Sequence, residues 1–325
     1  MRLLILGFSS IAERRVIPAS ARVDAITEVS IASKGRPRPQ AWPKMGRFFS
    51  GYETALRDSG ADIVYLSLPN ALHEHWAMAS LSAGKHVIVD KPAMMSREAS
   101  ARAVEEARRA RRLLAEATVF GYHPLFVRLA AFLNDIGPLT HVAAQFIIPP
   151  LPIGNFRNHM DLGGGCLLDM GPYAASTMRI LGGGPPAEIT ALAGGRHPET
   201  GVDMGFSVQA RLANGGIFSG HFSFEDEYQN RLLIVGRSGS VTMERVFSPP
   251  PDYRMEWRQR VSNQESVATF EPADTFALFL EAACGAAANG DHAKFARDLL
   301  DDARCRAQIA EALQPNTRTS PSARE

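Results

Sequence analysis

Cysteine is scarce in this chain: Cys166, Cys284 and Cys305 stand far apart and form no CxxC pair. Such an odd, scattered set points to neither a disulfide framework nor a cysteine zinc site. The histidines show no HxxH or HExxH spacing, so no metal site is expected. Long apolar runs are also missing. Nothing approaches the roughly 20 residues needed to cross a bilayer. The opening run 3–6 stops at Gly7, with no cleavage signal behind it. The expectation is a cytoplasmic protein with no membrane partner. Charge of one sign is lacking too, since 35 Lys plus Arg against 34 Asp plus Glu leaves a net charge of +1. A chain this neutral has no global field for gripping a phosphate backbone, which argues against nucleic acid as a partner.

What is present suits a globular enzyme-sized protein. The 325 residues, at roughly 150 per domain, suggest about two domains. Segments 3–6, 28–32, 63–68 and 86–89 are continuous apolar runs rich in β-branched residues. That is the pattern of strands buried on both faces. Between them, 11–20, 52–58, 74–83 and 97–117 read as helices, the last with Ser96 as its cap. Strand, helix and strand in alternation imply a parallel sheet with right-handed crossovers. Residues 1–119 therefore read as an α/β Rossmann-type doubly wound domain.

The texture changes after Gly121. Segments 142–148, 189–194, 206–212, 216–224 and 232–244 read as extended, and Asn214-Gly215-Gly216 suits a tight hairpin. Residues 120–290 are expected to form an α+β domain with a large, mostly antiparallel open sheet, with Pro249-Pro250-Pro251 as a surface loop. The pattern returns to helix over 275–313. Residues 291–314 are expected to return to the first domain, and 315–325 to form a polar tail.

The chemistry begins at Gly7-Phe8-Ser9-Ser10-Ile11-Ala12, between the first strand and the first helix. The dinucleotide fingerprint wants glycine at its first, third and sixth positions, here Gly7, Ser9 and Ala12. Gly7 permits the tight turn and Ala12 lets helix approach strand. Ser9 departs from the rule, although its hydroxyl can donate to a phosphate oxygen beside the helix amides. Gly7, Ser9, Ser10 and Ile11 are thus candidate cofactor contacts. An ordinary strand–turn–helix is the plain alternative. At the end of the second strand an NAD site normally offers a carboxylate, but this chain has Ser33, Lys34 and Arg36. A hydroxyl and two cations suit a 2′-phosphate, which favours NADP(H) over NAD(H), with a solvated basic loop as the alternative.

Three further runs follow in order. Leu68-Pro69-Asn70-Ala71-Leu72-His73 ends the third strand, Ala83-Gly84-Lys85-His86 leads to Asp90-Lys91-Pro92, and Gly163-Gly164-Gly165-Cys166-Leu167-Leu168-Asp169-Met170-Gly171-Pro172-Tyr173 lies in the second half. With the N-terminal turn they resemble the Gfo/Idh/MocA oxidoreductase family, over nearly the whole chain. That family has Glu-Lys-Pro where Asp90 keeps the carboxylate one methylene shorter. The resemblance implies that Lys91 sits beside the nicotinamide and the reacting carbon–oxygen bond, where an ammonium stabilises a developing alkoxide. It implies that Asp169 orients substrate and partner residues, and that Tyr173 stands where other members carry a catalytic histidine. A phenol with an ordinary pKa near 10 is a natural proton donor, which leans the chemistry toward ketone reduction. Ser176, where the histidine-type pattern has an aspartate, makes inositol-like handling less fitting.

By the same resemblance Pro69, Asn70, His73, Asp90 and Lys91 lie on the cofactor side, and Tyr122, His123 and Arg157 on the substrate side. The implied function is NADP(H)-dependent hydride transfer between nicotinamide and a secondary alcohol or ketone of a sugar-like molecule. A keto-sugar reductase, on a nucleotide-linked sugar, is preferred; dihydrodiol, free-aldose or inositol-type dehydrogenases are the alternatives. A non-catalytic NAD(P)-binding regulator is the rival of another class. A homodimer or homotetramer is implied by resemblance alone.

Overall fold

The computed structural model describes residues 1–314, and the apolar runs of the first third become one parallel sheet. In chain order these elements are β1 (Arg2–Leu6), α1 (Ile17–Ala21), β2 (Glu28–Ala32), β3 (Met45–Phe49), α2 (Tyr52–Asp58) and β4 (Ile63–Leu66). Then come α3 (His73–Ser82), β5 (His86–Val89), α4 (Arg97–Ala110) and β6 (Leu114–Glu116). The strands lie in the order β3-β2-β1-β4-β5-β6 and every pairing is parallel. Ile5, Val64 and Ile88 are wholly buried, as helices on both faces require, and each such side chain contributes roughly 1.5–3 kcal/mol.

One expectation in this half is corrected. The helix expected over 97–117 is capped by Ser96, whose Oγ accepts from the Ala99 amide at 3.1 Å, but it ends at Ala110. Arg111 turns left-handed at φ 53°, and 114–116 pair with β5. Helix propensity is a weak prior that tertiary pairing overrides, and here burial of Leu114 and Ala115 at the sheet edge decides the outcome.

The second half holds α5 (Leu125–Asp135), β7 (Leu139–Ile147), α6 (Cys166–Gly182), β8 (Glu188–Ala193), β9 (Gly205–Arg211) and β10 (Ile217–Ser223). It continues with β11 (Gln229–Gly236), β12 (Gly239–Glu244), β13 (Met255–Val261) and β14 (Gln264–Phe270). These eight strands run β14-β13-β12-β11-β7-β10-β9-β8, antiparallel except for β7 with β10. The hairpin expected at 214–216 joins β9 to β10, with Gly215 at φ 89°. The single extended run expected over 232–244 is instead the hairpin β11–β12. Helices α5 and α6 cover one face of this sheet, supplying Leu129, Phe132, Ala174 and Met178 to a core with Phe218 and Ile234.

Helix α7 (Thr275–Asn289) corrects the boundary drawn at 290. Its Phe279, Leu280 and Ala283 fill the core of the first sheet beside Ile5 and Ile31, so it packs with the first half. Helix α8 (Ala293–Ala312) spans both, with Leu299 in the first half and Cys305 and Ile309 in the second. The segment 315–325 lies outside the described residues.

Candidate active site

At the carboxyl ends of β1, β4 and β5 stand Gly7, Ser67 and Asp90, where an open parallel sheet of this order offers its crevice. Gly7 has φ 96°, and a Cβ there would lie 2.1 Å from the Ser67 carbonyl oxygen. Only glycine fits that approach. Ser9 Oγ accepts from the amides of Ile11 and Ala12 at 3.1 and 3.0 Å and lies 2.7 Å from Ser67 Oγ. Ser67 in turn donates to Asp90 Oδ2 at 2.6 Å, and the Tyr65 hydroxyl donates to Asp90 Oδ1 at 2.5 Å. A carboxylate only accepts, so the protons run from Ser9 to Ser67 to Asp90. The hydroxyl of Ser9 is therefore committed inside the protein, contrary to the expected donation to phosphate.

A cleft of about 620 Å³ opens here between the two halves. Ser9, Ser10, Ile11, Pro69, Asn70, Asp90 and Lys91 line one wall, while Arg157, Asp169 and Tyr173 line the other. Asp169 and Tyr173 sit four residues apart on α6, hence on one helix face. Lys91 Nζ donates to Asp169 Oδ1 at 2.7 Å and to its backbone carbonyl at 2.6 Å. Arg157 Nε approaches the other carboxylate oxygen at 2.9 Å. Burial opposes ionisation of Asp169, but the charges and hydrogen bonds of Arg157 and Lys91 more than offset it and hold its pKa well below the ordinary carboxylate range. Lys91 Nζ also lies 4.9 Å from the Tyr173 ring centre. Burial raises the Tyr173 pKa despite that ammonium, so the phenol keeps its proton. Phe146 meets the Tyr173 ring edge-on at 4.9 Å and Phe247 lies at 5.5 Å, fixing its orientation.

The glycine run explains how Arg157 reaches Asp169. Gly164 lies where a Cβ would come within 2.4 Å of the Arg157 carbonyl oxygen, and Gly165 donates to that same oxygen at 2.8 Å. Gly163 accepts from Asn70 Nδ2 at 2.8 Å, which ties the run to the opposite wall.

Three expected contacts are corrected. His73 is fully buried, with Nδ1 2.8 Å from the Pro92 carbonyl oxygen and Nε2 2.9 Å from that of Leu68. It pins the two loops behind the cleft wall and is not part of the cleft lining. His123 is buried beneath Phe270, its Nδ1 accepting from the Leu125 amide at 3.1 Å. Tyr122 lines a separate cavity of about 210 Å³ with Arg179, Lys294 and Asp302. The crossing segment does line the main cleft, but through Ala117 and Val119.

Ser33, Lys34 and Arg36 stand at the end of β2, beyond the cleft walls. Ser33 Oγ accepts from the Arg36 amide at 2.9 Å. The Arg36 guanidinium stacks 4.3 Å from the Phe8 ring centre and pairs with Glu13 at 2.8 Å, while Lys34 pairs with Glu53 at 3.8 Å. The Gly7 cradle, the crevice and this exposed basic strand end fit a dinucleotide with a 2′-phosphate. Sequence reasoning missed Arg15, Phe146, Phe247, Ser248, Thr275 and Phe276, all in the cleft wall. A signal existed only for Arg15, four residues after Ile11 and so on its helical face.

A doubly wound sheet joined to a large open sheet, with a lysine–aspartate pair in the cleft between them, defines a dinucleotide-dependent oxidoreductase architecture. Residues 1–118 match the oxidoreductase family with an NAD-binding Rossmann fold, and 132–242 match the GFO/IDH/MocA C-terminal domain. The chain belongs to the Gfo/Idh/MocA oxidoreductase family. It is 32% identical to a dTDP-3,4-didehydro-2,6-dideoxy-alpha-D-glucose 3-reductase of Actinomadura kijaniata, over 98% of this chain and 96% of that relative. It is 28% identical to D-xylose 1-dehydrogenase (NADP(+)) 2 of Haloferax volcanii, over 90% and 91% of the two chains. Its fold superposes with a TM-score of 0.87 on a 3-ketoreductase from Actinomadura kijaniata in complex with NADP and TDP-benzene, at 29% identity, covering 96% and 98% of the two chains.

Proposed function

We propose that this protein is an NADP(H)-dependent reductase of a nucleotide-linked keto-sugar, converting the ketone to a secondary alcohol. The observation that carries the reading is the placement of Lys91, locked to Asp169, beside a Tyr173 phenol that burial keeps protonated. NADPH, when bound, supplies the hydride. Lys91 stabilises negative charge developing on the carbonyl oxygen, and Tyr173 delivers the proton as general acid. Asp169 orients Lys91, and Arg157 neutralises the second carboxylate oxygen. Ser10, Ile11, Pro69 and Asn70 hold the cofactor, with Lys34 and Arg36 at its 2′-phosphate.

The substrate side of the cleft supports a sugar poor in hydroxyls. Phe146, Ile148, Leu151 and Phe247 line it, and these offer apolar surface where a fully hydroxylated ring would need partners. This wall disfavours the inositol and free-aldose alternatives. The relatives named above, a 3-reductase and a 3-ketoreductase, also support reduction at a sugar carbon. The partly open face of the second sheet, where Leu192 is exposed, is the surface for a second copy in a homodimer or homotetramer. No described helix is long and apolar enough to cross a membrane, which suits a cytoplasmic enzyme.

The test uses NADPH carrying deuterium at both C4 positions, incubated with nucleotide-linked and free keto-sugars and read by mass spectrometry. A nucleotide-linked product one mass unit heavier than its unlabelled control is expected. Label in free sugars alone would discard the nucleotide-linked reading. Tight NADPH binding with no labelled product from either group would favour the regulator.

A further inference from the structure

The cations that face the cleft are not equivalent. Lys91 and Arg157 are both matched by Asp169. Arg14 is exposed, and its Nε donates to the Ser10 carbonyl at 3.2 Å. Arg15 differs from all three. It is half-buried in the cleft wall, its guanidinium 4.8 Å from the Phe276 ring centre, and it makes no salt bridge among the described residues. Of its five N–H donors, one reaches a protein acceptor, the Pro249 carbonyl oxygen at 2.9 Å. The neighbouring carboxylate, Asp274, is already committed to Arg22 at 3.0 Å and to the amides of Phe276 and Ala277.

An unmatched guanidinium in a sheltered wall calls for an anion, because a buried charge is costly until paired. A second polar group beside it is also unsatisfied. Thr275 lines the same cleft, its residue is fully buried, and its hydroxyl has no hydrogen-bond partner among the described residues. Ser248, next in the chain to the Pro249 that Arg15 grips, lines the same cleft. Planar guanidinium with flanking hydroxyls is the chemistry that recognises a phosphate oxygen pair.

We propose that Arg15, with Thr275 and Ser248, holds a diphosphate, and that it is the diphosphate of the substrate rather than of the cofactor. The inference rests on the nucleotide-linked reading above. The substrate is favoured because the partners of Arg15 lie away from the Gly7–Ser9 turn, on the 247–249 loop of the second half and at the start of α7. Arg15 and Tyr173 line the same cleft, so an anion held by Arg15 shares that cleft with the reacting carbon, as a diphosphate on the sugar ring does.

The test measures binding of dTDP and of NADPH separately to wild-type protein, Arg15→Gln and Arg15→Lys. Loss of charge-assisted hydrogen bonds should weaken dTDP about 10–100-fold in Arg15→Gln, with partial recovery in Arg15→Lys and NADPH affinity within about twofold. If NADPH weakens and dTDP does not, the anion belongs to the cofactor and the proposal fails. Equal weakening of both ligands would mean that Arg15 acts as a clasp between the halves through Pro249, and would also overturn it. If wild-type protein binds NADPH and labels free keto-sugars but binds no dTDP, the nucleotide-linked reading itself fails. That result is separate from the other two, in which wild-type protein binds dTDP.

Discussion

Two clusters of charge, one a carboxylate between two cations and the other a guanidinium between two carboxylates, differ in what they face. In the first, Asp169 is gripped by Lys91 and Arg157 and looks into the 620 Å³ cleft. In the second, Arg179 on α6 grips Asp302 on α8 through two bonds of 2.7 and 2.9 Å, with Asp298 at 3.3 Å, beside the 210 Å³ cavity. Arg306 adds a contact with Glu116 at 3.8 Å. The second cluster joins α8 to α6 and β6 and thereby fastens the halves together. Ion pairing lines the large cleft in one place and joins the halves in the other, and the size of the adjoining space separates them.

The sharpest way to break that comparison is to remove one cation from each cluster. Lys91→Met should lower the rate of hydride transfer by about 10³–10⁴-fold, since it removes both charge stabilisation and orientation. Stopped-flow loss of NADPH absorbance measures this, and survival of the wild-type rate would take Lys91 out of the chemistry. Arg179→Met should instead destabilise the fold by about 3–5 kcal/mol, because Asp302 is left buried and unpaired, while kcat/KM of the folded fraction stays near wild type. Urea unfolding alongside steady-state kinetics reads both. A large kinetic loss at full stability would erase the distinction.

Tyr173→Phe should have a smaller effect, a fall of about 10²-fold in kcat, with NADPH affinity unchanged by fluorescence titration. An unaffected rate would pass the proton to water or Lys91. The smallest effect concerns a half-buried base whose burial and neighbouring cations outweigh the charge of Asp62. Burial, with help from Arg112 and His292, lowers the His86 pKa to about 4. An unfolded histidine binds its proton near pH 6.5, so the unfolded state gains protons first. Stability is therefore lost as pH falls from about 6.5 toward 4. His86 is only half-buried, and after discounting for solvent screening the loss is about 1 kcal/mol. His86→Gln should flatten the decline in Tm between pH 7 and 5, and an unchanged decline would place the titration elsewhere.

Legibility of the sequence follows the locality of each feature. Lys91, Asp169 and Tyr173, which line one cleft, stand in the sequence inside short runs that resemble family motifs. The parallel sheet could be read because its strands are buried on both faces and so look apolar throughout. Helix α6 could not, because Gly171 and Pro172 interrupt it although packing on the second sheet holds it helical. Strands β13 and β14 escaped because most of their residues face solvent, with Met255 and Trp257 turned inward. Arg15 meets Phe247 and Thr275, both more than two hundred residues further along the chain, only after folding, and no local pattern encodes that meeting. His73 shows the reverse error: a motif residue stood in the right run, and its ring proved to be spent on two carbonyls.

The packing of α7 against the first sheet carries a consequence for how this polypeptide can be divided. Phe279, Leu280 and Ala283 come from beyond the second sheet yet complete the core around Ile5 and Ile31. A fragment ending near 119 would leave that apolar surface bare to water, and would aggregate rather than persist as an isolated nucleotide-binding module. The first half is thus finished only once the chain through α7 has been made. A ribosome that stalls inside the second sheet releases a product whose dinucleotide half is also unfinished.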